Sequence, residues 1–177
     1  MATKIRQEDR QARTRSERIW NELANESFAV VGFVTPSGDP RSSGVVYKML
    51  GRRMFVAVAP DSWKAKDLAA RGRVAVTVPV RRGGILALVF PVPPATITFH
   101  GSAIVHPAGS PEMRSHLDDL GALLPAERRE SSCLIEILPE ADFLTYALDV
   151  PLRKMRDPVA SLAHVPTSLD EDRPTTR

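Results

Sequence analysis

The sequence predicts a mainly β fold, an antiparallel barrel with helical additions. Short apolar segments rich in β-branched and aromatic residues recur at regular intervals between turn residues, which is typical of all-β folds. Only one clear helical segment follows the first strands, so the strands do not alternate with full helices as they do in a doubly wound sheet. The chain has 177 residues, of which 43% are hydrophobic, and this is enough to build one core.

The first half of the chain is predicted to form three strands and then a helix. Turn residues separate the strands, which are expected over 28–35, 41–50 and 54–59. Asp61 or Ser62 caps the following helix, and Gly72 stands where a left-handed residue ends one. The helix therefore covers residues 62–71.

The second half of the chain contains strands joined by longer connections. Apolar and polar residues alternate over 95–106, which predicts a half-buried strand. The other predicted elements are strands over 73–80, 133–138 and 143–148 and a helix over 111–124. The loop over 81–94 begins with two arginines, which are followed by two glycines, and it ends in two prolines. We interpret it either as a lid or as an extended hairpin arm packed on a second subunit.

Composition divides the chain into three regions. Residues 1–26 are predicted to form a basic N-terminal helical arm, in which Ile19, Trp20 and Leu23 dock while the arginines face water. Residues 27–150 form the barrel domain. Residues 151–177 contain Pro, Ser and Thr and an acidic cluster, and they are expected to form a C-terminal tail.

Charge and composition argue against several classes of protein. The chain has 24 basic and 21 acidic side chains, a net charge of +3 that is too weak and dispersed to demand a nucleic-acid partner. No segment reaches the roughly 18 consecutive apolar residues of a membrane-spanning helix. Cys133 is the only cysteine, so no disulfide can form within the chain, and a cytoplasmic protein is expected. His100 and His106 lie roughly 20 Å apart along one strand, so no metal site is predicted.

The first turn of the helix over 62–71 carries the candidate site. It holds Ser62, Trp63, Lys64 and Lys66, at the end of a helix where unpaired N–H groups and the helix dipole attract anions. A lysine at this end is mildly unfavourable by itself, so two of them indicate a bound anion. The alternative is that both lysines lie on a solvated helix face.

The segment FAVVGFVTPSGDPRSSGVVYKMLGRRMFVAVAPDSWKAKDLAARGRVAVTV resembles the flavin-binding split-barrel family, which includes pyridoxamine 5'-phosphate oxidase and actinobacterial FMN- and F420-dependent reductases. The resemblance spans roughly residues 27–106 and implies a six-stranded antiparallel split β-barrel, with the barrel domain as its flavin-binding unit. In that family a Ser-Arg-Lys triplet opens this helix and binds the flavin phosphate. Ser62 and Lys64 match the triplet, whereas Trp63 replaces its arginine.

The resemblance also implies cofactor contacts from the second and third strands. A family lysine on the second strand matches Lys48, and a family arginine position falls on Ser43. Arg41 compensates for that arginine only if the strand register shifts. The side chains expected beside the flavin ring are those of Val46, Tyr47, Val56 and Ala57.

The implied roles at the phosphate are specific. Lys64 and Lys48 are expected to neutralise its charge, Ser62 to hydrogen-bond it, and Lys66 to play a secondary basic role. FMN is the expected cofactor, because its single phosphate needs only one binding site of this kind. F420 is the alternative, since its glutamyl tail needs a longer basic groove, which the arm can line with Arg10, Arg13, Arg15 and Arg18.

The function implied by the resemblance is that of a homodimeric oxidoreductase, which transfers hydride between FMN or F420 and a small organic substrate. A flavin supplies its own hydride chemistry, so the lack of a catalytic motif is expected, and no catalytic residue is assigned. The alternative is a non-catalytic flavin or haem carrier or sensor of the same fold. A nucleic-acid-binding module ranks last, because no aromatic residues are interleaved with the basic arm.

Overall fold

The computed structural model describes residues 2–81, 94–148, 150, 157 and 161–167, and for residues 2–10 and 122 it describes the backbone alone. In this part of the chain one antiparallel sheet of eight strands curls into a half-barrel, which confirms the predicted fold class. The strands are β1 (Phe28–Val34), β2 (Pro40–Val46), β3 (Lys48–Leu50), β4 (Arg53–Val58), β5 (Arg73–Val80), β6 (Ala95–His106), β7 (Cys133–Tyr146) and β8 (Leu162–Pro166). The helices are α1 (Ala2–Asn25), α2 (Trp63–Arg71), α3 (Pro111–Ser115) and α4 (Leu117–Leu120).

The order of the strands leaves the sheet with two ends. Neighbouring strands follow the order β2-β1-β5-β6-β7-β4-β3, and β8 pairs with the last residues of β7. The sheet therefore begins at β2 and ends at β3, although these two strands lie close together in the sequence. Only Tyr47 separates them in the chain.

The inner face of the curled sheet holds the main core. Along β1, Ala29, Val31 and Phe33 are buried, whereas the alternate residues Phe28 and Val30 are exposed on the outer face. This alternation is the period of two expected for a strand with one solvated face. The inner face is thus a closed apolar layer, and ligands have access to the outer face and the edges.

Helix α1 packs onto this core through one side. Ile19 and Leu23 belong to the buried cluster and Trp20 packs against it, which confirms the predicted docking. The rings of Trp20 and Phe143 meet edge to face at 5.0 Å. Apolar contacts therefore fix the last turns of α1 against the barrel.

Helix α2 forms where the sequence predicts a helix. The Ser62 hydroxyl accepts a hydrogen bond from the backbone N–H of Ala65 at 3.3 Å, which caps the first turn. Gly72 ends the helix in the left-handed region with φ of 62°. Ala65 and Leu68 are buried, so these two residues fix the face that the helix turns toward the sheet.

A second, smaller apolar cluster covers part of the outer face of the sheet. It consists of Phe55 and Leu134 on β4 and β7, together with Met113, Leu120 and Leu124 from the segment that contains α3 and α4. This segment therefore shields the outer face of those two strands from water.

Tertiary contacts divide two elements that the sequence predicts as continuous. The strand expected over 41–50 ends before Tyr47, whose buried hydroxyl donates to the carbonyl of Leu23 at 2.7 Å and whose N–H donates to Ser27 at 2.9 Å. The helix expected over 111–124 breaks at His116 into α3 and α4. In both places the type of secondary structure is predicted correctly, but a residue within the predicted segment interrupts the element.

The sheet has eight strands, whereas the resemblance implies six, and two other differences from the predicted strands affect this number. The strands predicted over 133–138 and 143–148 form the single strand β7, which passes through Ala141 with φ of 57°. Residues 162–166, which the sequence placed in the tail, form β8 and pair with β7. Residues 82–93 of the predicted loop lie outside the described residues, so the lid and the hairpin arm both stay predictions. No helix in the described residues is long and apolar enough to cross a membrane.

Candidate anion site at the start of helix α2

The start of α2 is electropositive for reasons that lie in the backbone. The first N–H groups of a helix have no partner within the helix, and the helix dipole is positive at this end. The first turn of α2 contains no acidic residue that would neutralise it. Ser62 satisfies the N–H of Ala65, and its own hydroxyl hydrogen remains able to donate.

Lys64 and Ser43 bring the helix and the edge strand together at this point. The ammonium of Lys64 donates a hydrogen bond to the Ser43 hydroxyl at 2.8 Å. An ammonium has three N–H donors, so this bond uses one of them. The sequence predicted both residues as cofactor ligands, and the structure places them in direct contact.

Trp63 organises the cations around the site. Its ring is 40% exposed and lies 5.5 Å from the ring of Phe33. The guanidinium of Arg41 stands 5.5 Å from the centroid of Trp63, and the ammonium of Lys64 stands 5.6 Å from it. Both distances fall within the range of cation–π attraction. Trp63, which replaces the arginine of the family triplet, therefore holds two cations beside the helix start.

Arg41 reaches this place without the register shift that the sequence analysis required. It pairs with Phe33 in the regular register of β1 and β2, and its side chain extends over Trp63. Its guanidinium also lies 3.9 Å from Asp67, which is longer than a hydrogen bond. Arg41 therefore lies beside Trp63, a position that the sequence analysis allowed only with a register shift. The sequence feature that pointed to this position of Arg41 was Trp63, which replaces the arginine of the family triplet.

Other predicted residues lie apart from this contact. Lys66 is exposed on α2, and no contact joins it to Ser43 or Lys64. Lys48 donates to the backbone carbonyl of Asp119 at the end of α4, on the far side of the interruption at Tyr47. The structure therefore does not bring Lys48 to the ammonium of Lys64.

The residues predicted beside the ring point in three directions. Val46 is 60% exposed on the outer face of β2. Val56 is buried in the main core, where a gap of only about 10 Å³ lies between it and the stem of Lys64. Ala57 packs against the second apolar cluster. A planar ligand therefore has no space inside the barrel, and of these three side chains only Val46 is open to one.

A cavity of about 320 Å³ adjoins Val46. It is lined by the end of α1, by Tyr47 and Lys48 at the strand interruption, and by Leu120 and Leu123. Burial raises the pKa of the Tyr47 phenol above its ordinary range, and the negative charge of Glu26 adds to this effect. Tyr47 therefore keeps its proton at physiological pH, and its hydroxyl donates that proton to the carbonyl of Leu23.

The curled antiparallel sheet, open between β2 and β3 and carrying a helix after its fourth strand, defines a split-barrel protein. The fold is that of pyridoxamine 5'-phosphate oxidase-like proteins, as the resemblance implied. No family model matches the sequence, and no curated protein matches it.

Solved structures of this fold resemble the chain closely enough to establish the architecture. General stress protein 26 from Bacillus anthracis str. Sterne is 18% identical, with a TM-score of 0.53 over 73% of this chain and 92% of that one. A putative pyridoxamine 5'-phosphate oxidase from Listeria innocua is 17% identical, with a TM-score of 0.52 over 71% and 93%. A haem-binding protein from Mycobacterium smegmatis is 14% identical, with a TM-score of 0.59 over 84% of this chain and 57% of that one.

Proposed function

We propose that the protein is a flavin-binding oxidoreductase, which transfers hydride between FMN and a small organic substrate. The observation that carries this proposal is the hydrogen bond between Lys64 and Ser43 at the start of α2. It joins Lys64, which matches the family triplet, to Ser43, which stands where the family has an arginine. The solved structure of a putative pyridoxamine 5'-phosphate oxidase supports the same reading through its fold.

The residues at the helix start fit a phosphate group. Lys64 supplies a positive charge, Ser62 supplies a hydroxyl donor, and the first turn of α2 supplies backbone N–H groups. The Ser43 hydroxyl donates to the carbonyl of Gly44 and accepts from Lys64, so it holds the ammonium in place. Arg41 adds a second cation beside Trp63. A dianionic phosphate thus meets two cations and several donors, and Lys66 adds a weaker, more distant positive charge.

The remainder of the flavin would extend along β2. Val46 lies three residues beyond Ser43, about 10 Å along the strand and on its opposite face, so the cofactor would pass around the free edge of β2 to reach it. The cavity at Val46 opens there, and Lys48 lines it. In this arrangement Lys48 acts at the ring end of the cofactor, whereas the resemblance implies a role for it at the phosphate.

Protein side chains position the cofactor and control its electrostatics in this proposal. When bound, the flavin supplies the group that accepts and donates hydride. Lys64 and Arg41 neutralise the phosphate, and Lys48 lines the cavity at the ring end of the cofactor. None of these roles requires a side chain to give up or take up a proton during the reaction.

FMN is favoured over F420 because the cations at the helix start form one compact group. The long anionic tail of F420 would need the arginines of α1 as well. Arg13, Arg15 and Arg18 lie on that helix, and the side chain of Arg10 is outside the described residues. Helix α1 contacts β8 and β3, and Arg15 lines a different cavity of about 320 Å³.

The outer surface formed by the start of β1 and the end of β2 supports a homodimer. Phe28, Val30 and Val46 are exposed there by 46%, 38% and 60%, and Phe28 and Val46 are directly opposite each other in the register. The ring of Phe28 lies over Gly44, where a Cβ would come within 2.9 Å of it. An apolar patch of this kind on a sheet face is typical of a surface covered by a second copy.

The location of the protein is part of the same proposal. The single cysteine, Cys133, is buried and free, so within the described residues no disulfide indicates an oxidising compartment. A cytoplasmic enzyme acting on a soluble organic substrate is therefore proposed.

The alternative function is a carrier or sensor that binds a flavin or haem without turnover. The haem-binding protein from Mycobacterium smegmatis supports it, because it shares the fold of this chain. Anaerobic reduction distinguishes the two. Protein reconstituted with FMN is mixed with NADH or NADPH and then with a quinone or a nitroaromatic acceptor. Bleaching and recovery of the flavin absorbance over repeated cycles supports the enzyme, whereas a flavin that stays oxidised, or binding of haemin alone, supports the carrier.

A further inference from the structure

A second basic cleft lies near the other end of α2. It has a volume of about 930 Å³, and we refer to it as the arginine cleft. Gly32, Val34 and Ala75 form its floor on the outer face of β1 and β5, and Arg41, Arg71, Arg73 and His100 form its walls. The volume falls within the range of small-molecule sites, which combine an apolar floor with a few convergent polar groups.

The floor is suited to a flat group. Gly32 and Ala75 are directly opposite each other in the pairing of β1 and β5, so two of the smallest residues are adjacent at its centre. Val34 is 43% exposed beside them. Small side chains on a sheet surface let a planar ligand approach the backbone closely.

The walls carry more positive than negative charge. Arg73 is paired with Glu140 at 2.8 Å, and Arg41 lies 3.9 Å from Asp67. Arg71 donates one hydrogen bond to the backbone carbonyl of Pro36, a neutral acceptor, at 2.9 Å. Because a guanidinium has five N–H donors in a planar fork, each of these arginines keeps donors suited to a carboxylate or a phosphate.

We propose that the arginine cleft binds an organic anion, a compound that combines a flat apolar body with a carboxylate or phosphate. The apolar body lies on the floor between Gly32 and Ala75, and the anionic group is held by Arg71 together with Arg41 or Arg73. The site is separate from the contact between Lys64 and Ser43. Arg41 lies at the border of both, since it lines the cleft and stacks on Trp63. This proposal holds whether or not a flavin binds at the start of α2.

Isothermal titration with 2-naphthoate tests the proposal, with the uncharged 2-naphthylmethanol as the matched probe. We expect 2-naphthoate to bind with a dissociation constant of about 1 mM or tighter. Arg71→Gln removes a cation from the wall of the cleft. Ala75→Asp places a negative charge on its floor and leaves all of its arginines unsubstituted. Each is expected to weaken 2-naphthoate binding about tenfold. Arg114→Gln, a change of an exposed arginine on α3, is the charge-matched control and leaves binding unchanged.

Two further comparisons separate this cleft from the proposed flavin site. Lys64→Ala is expected to keep the wild-type affinity for 2-naphthoate, and Glu140→Gln is expected to tighten it by releasing Arg73. The proposal is overturned if 2-naphthoate does not bind, if 2-naphthylmethanol binds equally well, or if Arg114→Gln weakens binding as much as Arg71→Gln. Because Ala75→Asp leaves the hydrogen bond of Arg71 to Pro36 intact, a loss of folding in Arg71→Gln does not remove the test.

Discussion

The ammonium of Lys64 donates a 2.8 Å hydrogen bond to the hydroxyl of Ser43, which joins the first turn of α2 to the edge strand β2. These two residues are 21 positions apart, and the curl of the sheet brings them together. The bond holds a positive charge at the one place where the helix dipole also attracts anions. A phosphate bound there would meet a preorganised site, in which little side-chain entropy remains to be lost.

Arg41 is predicted to contribute to the affinity for FMN. Arg41→Gln removes the cation that stacks on Trp63 and should weaken FMN binding by about three- to tenfold, because a charged hydrogen bond is lost at an exposed site. Fluorescence quenching of FMN measures the change. Arg128→Gln, in an exposed turn far along the chain, serves as the control. Equal affinities of the Arg41→Gln variant and the wild type would remove Arg41 from the site.

Gly101 is predicted to be intolerant of any side chain. A Cβ on this residue of β6 would collide with the backbone carbonyl of Leu138 on β7, whereas a Cβ on Gly32 would stand 3.7 Å from its nearest atoms. Gly101→Ala should therefore lower the free energy of unfolding by about 3 kcal/mol, and Gly32→Ala should change it by less than about 1 kcal/mol. Urea denaturation of both variants measures the difference. Similar stabilities would show that β6 and β7 are less closely packed than described.

Glu136 is predicted to be a strong contributor to stability. This buried carboxylate accepts hydrogen bonds from Arg53 at 2.8 Å and from the ring of His106 at 2.7 Å. Glu136→Ala should cost about 2 to 3 kcal/mol, since it leaves the largely buried ring of His106, and the more exposed guanidinium of Arg53, without their acceptor. Glu140→Ala breaks an exposed pair with Arg73 and should cost less than about 1 kcal/mol. Thermal melts of the two variants compare these costs, and an equal effect would contradict the assignment.

Tyr47 is predicted to make stability depend on pH in the alkaline range. Its folded-state pKa is raised above the ordinary value near 10, chiefly by burial, so the folded protein holds this proton more tightly than the unfolded chain does. The stabilisation is complete below about pH 10 and is lost as the pH rises further. Denaturation at pH 8 and pH 11 should show a smaller decrease for Tyr47→Phe than for the wild type. Parallel decreases would mean that Tyr47 does not cause the effect.

Local patterns were sufficient to predict most of the secondary structure. Helix α2 was predictable because its cap, Ser62, and its terminating residue, Gly72, act through bonds within a few residues of themselves. Strand β6 was predictable because apolar and polar residues alternate over its length. In such elements the residues that determine the structure are neighbours in the sequence.

The errors occur where distant residues decide the structure. Tyr47 interrupts a strand because its hydroxyl bonds to Leu23 on α1, and no local signal shows this. Residues 162–166 form β8 because β7 offers them an edge, although their composition is that of a tail. Lys48 donates to the carbonyl of Asp119, 71 residues away in the chain, and lies apart from Lys64, which no local signal shows.

The candidate site was predictable in part for the same reason. Ser62, Trp63 and Lys64 are consecutive and could be recognised as a triplet. The position of Arg41 over Trp63 depends on how α2 packs against β1 and β6 beside the edge strand β2, which the sequence does not display. The arginine cleft likewise combines residues from four strands, β1, β2, β5 and β6, with the end of α2, so it emerges only from the assembled fold.

The most direct test of the central claim is a fluorescence titration of the purified protein with FMN and, separately, with F420. It is made with the wild type, with Lys64→Ala, and with Lys66→Ala as a control of equal charge on the same helix. We predict that FMN binds to the wild type, that Lys64→Ala weakens binding at least about tenfold, and that Lys66→Ala changes it less than about threefold. Binding of neither flavin by the folded protein, or equal affinities for the wild type and Lys64→Ala, would contradict a flavin phosphate site at the start of α2.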